Sequence, residues 1–131
     1  MPDFVLTSSM LEKSKNILVN SLINAGVRTV LLIDSAGNIL VNLGQTADEI
    51  DAISLAALAA ANLGATAQIA KLIGEDDFTL LFHKGKNGNI NFGRIGNDLI
   101  LITIFGEDVS LGLVRCRITD ISESLRIIFE G

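Results

Sequence analysis

Tryptophan and tyrosine are absent from this chain, and cysteine, histidine and proline occur once each, as Cys116, His83 and Pro2. One cysteine excludes an internal disulfide and fits a reducing compartment. One cysteine with one histidine leaves too few soft ligands for a zinc site, so no metal and no cofactor are expected. Long apolar runs are missing too. The longest uncharged stretch, Ala52 to Ala70, is interrupted by Ser54, Asn62, Thr66 and Gln68, short of the ~20 apolar residues of a membrane span, so no membrane insertion is expected. The opening MPDFVLTSS lacks a basic start and an apolar block, so no secretory leader is expected and the cytoplasm is the expected location. Positive charge is scarce. Ten Lys and Arg face 15 Asp and Glu, the net charge is −5, and the basic residues are scattered, which argues against a nucleic-acid surface.

Apolar side chains are plentiful instead. They make up 49% of the 131 residues, and mean hydropathy is +0.49. That length forms one domain over residues 1–131 with room for a core, and oligomerisation is the simplest destination for the surplus apolar surface.

No group of residues assembles a reaction centre. His83 lies in a strand with no Cys, Ser or carboxylate at catalytic spacing, so it reads as structural or exposed. Cys116 sits between Arg115 and Arg117, whose charges would favour a thiolate, yet a packed or surface thiol is the simpler reading. Gly85-Lys86-Asn87-Gly88 lacks the GxxxxGK[ST] pattern and joins two strands, so it reads as a hairpin turn. Gly93 and Gly96 complete no dinucleotide fingerprint, and Asp76 and Asp77 read as solvated. With no nucleophile, base and oxyanion donor together, no catalytic residue is expected, and the chain is expected to act by binding.

In order, Ser9 and Glu12 form an S-x-x-E box that opens a helix running to about Asn24, closed by Gly26. Val27 to Asp34 is β-branched and apolar, Ser35 to Asn38 is a turn, and Ile39 to Leu43 returns as a second strand. Thr46 and Glu49 form a T-x-x-E box at the head of an alanine-rich helix that Gly74 ends. Phe78 to Lys84, Ile90 to Ile95 and Leu99 to Phe105 follow with short turns, which predicts an antiparallel meander. Leu111, Val114, Ile118, Ile121, Leu125 and Ile128 form one stripe on a last helix, from about Val109 to Phe129. The fold class is therefore α+β. A five-stranded antiparallel sheet carries the long middle helix on one face and the two terminal helices on the other. Phe78 to Lys84 follows a crossover, which places it at a sheet edge able to pair with another chain, with Phe78, Leu80 and Phe82 on one side of it.

The middle helix has two non-polar faces at about 100° per residue. Leu55, Leu58, Ile69, Leu72 and Ile73, with Ala65 among them, are expected against the sheet. Ala57, Ala60, Ala61 and Gly64, continued by Gln68 and Lys71, form a flat strip where a second backbone can come close. The alternative is an alanine-filled helix buried inside one domain.

VLLIDSAGNIL in the first hairpin and LAALAAANLGATAQIAKLIGE in the middle helix resemble the Roadblock (dynein light chain) family, closest to its bacterial MglB-like branch. Leu101 to Phe105 and Leu111-Gly112 add to the likeness, which covers about Leu11 to Phe129. The resemblance implies a homodimer in which the edge strands pair into one sheet and the two middle helices lie side by side. Phe78, Leu80, Phe82, Ala57 and Gly64 would then form the dimer interface. It further implies a Ras-like small GTPase, of the MglA type, docking on the helical layer at Ala57, Ala60, Ala61, Gly64, Ala65 and Gln68. The resemblance also implies that GTP hydrolysis is stimulated by reshaping the switch loops, without an inserted arginine. That suits this chain, in which only Arg94 reads as a candidate for a lone arginine on a Gly-rich loop. Two other classes stand beside this one. A dimeric adaptor of a motility, polarity or signalling complex would use the same surface and leave hydrolysis unchanged. A ligand-sensing or enzymatic domain would need a pocket, since PAS-like and profilin-like folds also layer helices on antiparallel sheets.

Overall fold

The computed structural model describes residues 6–44, 50–78 and 81–131. Helix α1 spans Ser8–Ser21 and continues through a 3₁₀ turn, Ile23–Ala25. Strands β1 (Thr29–Asp34) and β2 (Ile39–Gly44) form the first hairpin, and α2 (Ala52–Leu72) follows. Strands β3 (Leu81–Lys84), β4 (Asn89–Ile95) and β5 (Leu99–Phe105) precede α3 (Leu111–Glu130). The five strands are ordered β2-β1-β5-β4-β3, and every neighbouring pair is antiparallel.

Strand alternation explains the two layers. In β1 and β5, Val30, Leu32, Leu99, Leu101 and Phe105 face α1 and α3, where Leu18, Leu22, Val114, Ile118 and Leu125 meet them. Leu31, Ile33, Ile100 and Ile102 face α2 with Phe92 of β4. Burying each such side chain contributes roughly 1.5–3 kcal/mol, so these central strands anchor both layers. The stripe read along α3 is its buried side, completed by Phe129.

The helix ends differ from the sequence reading where a nearer acceptor wins. Thr7, rather than Ser9, caps α1, its hydroxyl accepting from the Met10 amide at 3.1 Å. Val27 N–H donates to the Leu22 carbonyl and Gly26 N–H to that of Ile23, with Gly26 at φ 106°. Helix α2 begins at Ala52, not Thr46, because Asp51 caps it by accepting from Ser54 N at 3.1 Å and Ser54 Oγ at 2.7 Å. The Thr46/Glu49 box lies outside the described residues. At the other end Glu75 N–H reaches the Ala70 carbonyl and Gly74 N–H that of Lys71, closing α2 as a Schellman motif at Gly74.

The orientation of α2 reverses the expectation. Ala56, Ala59, Leu63, Thr66 and Ala70 face the sheet. Leu58, Ile69, Leu72 and Ile73 face outward, Leu58 at 69% and Leu72 at 86% exposure, and Ala65 is exposed with them. Only Leu55 of the bulky set packs on the core, and it is half-buried. The sheet surface under α2 is already filled by Leu31, Ile33, Ile100 and Ile102, so alanines let the helix sit close. The 21 residues of α2, with a mean hydropathy of 1.4 over their most apolar window, also meet the length and composition of a membrane span. The sheet covers the Ala56 and Ala59 side, and 22% of that window is buried.

Candidate functional site

The outward face of α2 carries the residues singled out for partner contact. Ala57, Ala61, Gly64, Ala65 and Gln68 are exposed, a low strip bordered by Leu58, Ile69 and Leu72. Ala60 is the exception. It lies on the shoulder of the helix, half-buried against the α2 side of the sheet. A Cβ on Gly64 would meet nothing within 4 Å, so no neighbour inside the fold requires a glycine there. From Ala52 to Ala70 the helix carries no charge, so this whole outer surface is neutral until Lys71.

Strand β3 forms one edge of the sheet, as its position after the crossover predicts. The residues proposed around it do not share a side. Phe78 precedes the strand and lies on the α2 side, 39% exposed. With Leu63, Leu81 and Phe92 it lines a hollow of about 300 Å³. Phe82 points to the opposite layer, where its ring stacks on Phe105 with centroids 6.1 Å apart. Phe78 lies outside the described strand, Leu81–Lys84. Leu80 lies outside the described residues.

Arg94 is not on a loop. It stands in β4, its Nε ion-paired with Asp77 and its Nη2 donating to the Leu63 carbonyl at 3.1 Å. That geometry commits it to joining α2 to the segment before β3. His83 is exposed in β3, edge-on to Phe92 at 5.8 Å, and Cys116 is exposed on α3. Among the described residues no group of three or more His, Cys, Asp and Glu is placed to hold a metal ion.

The strip on α2 is open to solvent and β3 stands at an edge of the sheet. Sequence reasoning missed the bulky rim, Leu58, Ile69 and Leu72, because it assigned those side chains to the core.

Comparison with known proteins adds identity to this geometry. A comparison with curated protein sequences gives no match. Myxococcus xanthus MglB is 35% identical over 95% of this chain and 92% of its own, with a TM-score of 0.85. The gliding protein MglB of Thermus thermophilus is 31% identical over 99% and 98%, with a TM-score of 0.88. An MglB described with a tetrameric arrangement is 30% identical over 99% and 97%, with a TM-score of 0.89. The Roadblock/LC7 domain matches residues 13–105. With the five-stranded sheet between one long helix and two terminal ones, these likenesses agree on one assignment, and the chain belongs to the Roadblock/LC7 family.

Proposed function

We propose that this chain works as a homodimer that binds a Ras-like small GTPase on the outer face of α2 and stimulates GTP hydrolysis by reshaping the switch loops. The observation that carries the reading is the uncharged outer strip of Ala57, Ala61, Gly64, Ala65 and Gln68, left open to solvent on a fold so similar to MglB. A strip of this kind admits a partner backbone at close range, and its apolar rim supplies the area that a stable contact needs. Among the described residues α2 carries no arginine on this face, and Arg94 is held by Asp77 and the Leu63 carbonyl. The GTPase would therefore supply its own catalytic groups, and the partner would position them. Pairing of two β3 edges would extend the sheet across the dimer and bring the two α2 helices together.

The test is GTP turnover by a Ras-like GTPase of the MglA type with and without this protein, alongside binding and solution mass. The expected result is a dimer that binds the GTP form and raises turnover, with Gly64→Arg losing both effects while melting normally. A strictly monomeric chain at micromolar concentration, or no binding, would remove the reading. Binding with unchanged turnover would instead leave a dimeric adaptor.

A further inference from the structure

We propose that the groove between β4 and α3 binds an extended, carboxylate-bearing peptide segment of a partner protein, read by the Asn91 carboxamide and the Arg115 guanidinium. The groove lies across the sheet from α2 and does not depend on the reading of that face. On the terminal-helix side, β1 and β5 present Val30, Leu32, Leu101 and Phe105, all apolar. Strand β4 presents Asn89, Asn91 and Gly93 to the same side. Asn91 is 4% exposed, yet the hydrogen bond outside the ladder that it makes uses its backbone carbonyl, which accepts from Thr103 Oγ1 at 3.4 Å. Its carboxamide has no partner among the described residues. The neighbouring Asn89 Oδ1 is fully buried without a partner, whereas the Asn91 carboxamide reaches the groove. At a position this enclosed an apolar side chain would bury more area than a carboxamide does.

Asn91 opens into a groove of about 190 Å³ whose other wall is Arg115, Ile118, Thr119 and Ser122 of α3. Gly93 keeps its floor low, since a Cβ there would reach Ile118 Cγ2 at 3.9 Å. The Thr119 and Ser122 hydroxyls donate to the carbonyls of Arg115 and Ile118, so their oxygens offer lone pairs to an incoming donor. Arg115 is exposed, and no carboxylate lines the groove.

The chemistry selects the ligand. A carboxamide presents one acceptor and one donor side, which match the N–H and C=O of a peptide group. The guanidinium fork matches a carboxylate. Sulfate would satisfy Arg115 but would bring no donor for the Asn91 and hydroxyl oxygens. A peptide with an acidic side chain brings both.

The probe is the capped tripeptide acetyl-Gly-Glu-Gly-amide, titrated into the full chain and followed by the Asn91 side-chain NH₂ and Arg115 Nε signals in nitrogen-15 NMR. Acetyl-Gly-Gln-Gly-amide and glutarate are the controls. The expected result is a saturable shift at both groups, weakened about tenfold (about one order of magnitude in affinity) for either control. Asn91→Leu is expected to melt at a higher temperature than the native chain and to lose the response. Arg115→Gln is expected to melt normally and to lose the preference for glutamate. The proposal is overturned by no saturable shift, by equal response to the controls, or by an undiminished response in both variants. A melting temperature lowered in both Asn91→Leu and Asn91→Val would assign the carboxamide to the fold and would overturn it as well.

Discussion

Arg94 and Asp77 form an ion pair that ties the connection after α2 to the second-last strand of the sheet, and the same guanidinium holds the Leu63 carbonyl in the middle of α2. Three separate pieces of backbone thus meet at one side chain. Both partners are about one-third exposed, so water weakens the pair without abolishing it. Arg94→Ala is expected to destabilise the fold by about 1 kcal/mol, read as a lower urea midpoint. Arg94→Lys should recover only part of that loss, because an ammonium cannot serve both acceptors with a planar fork.

Gly64 should respond in the opposite direction. A methyl group there meets open space, and alanine is favoured over glycine in a helix interior by about 1 kcal/mol. Gly64→Ala is therefore expected to raise the melting temperature by a few degrees. If α2 meets a partner at close range, the same substitution weakens association while stabilising the isolated chain. Melting and binding measured on one variant separate the two effects.

Gly37 is the contrasting glycine. It adopts φ 92° in the β1–β2 turn, and a Cβ would come within 3.2 Å of the Ala57 Cα on α2. Asp34 shapes that turn by accepting from the Ala36 and Asn38 amides at 3.0 and 2.9 Å. Gly37→Ala has to strain the left-handed backbone and displace the helix, so a loss of ~2 kcal/mol or more is expected. Denaturant unfolding checks it, with a lower midpoint at unchanged slope.

Asp51 adds a pH dependence at the start of α2. Hydrogen bonds from the Ser54 hydroxyl and then the Ser54 amide hold its carboxyl below the usual aspartate range, against a smaller opposing effect of desolvation. Because the native pKa is depressed, the stabilisation is complete above the unfolded-state value and is lost as pH falls through the native one. Asp51→Asn keeps a capping acceptor that does not titrate. Amide protection factors at Ala52 to Ala56, corrected for the intrinsic exchange rate at each pH, are expected to fall at low pH in the native chain and to change less in the variant.

The residues of α3 and of the central strands could be read from their spacing alone. Leu99 to Phe105 is predicted with the ends that the strand has, and the α3 stripe from Val114 to Leu125 is its buried side. Each has a single physical solution. A helix with one apolar stripe has one way to face a core, and a β-branched run flanked by turns has one way to lie in a sheet. The resemblance in α2 and the first hairpin likewise led to the family.

Pattern and periodicity were thus enough to determine the class of fold, the order of elements and the edge position of β3. Which way α2 turns, and where the rings of Phe78 and Phe82 go, was decided only in three dimensions. A helix that is apolar all round gives no preferred side, so its orientation depends on the surface beneath it, where Leu31, Ile33, Ile100 and Ile102 leave room for alanine and send Leu58 and Leu72 outward. The Asn91 groove was equally hidden, because a carboxamide in a strand says nothing of its partners until the opposite helix is in place.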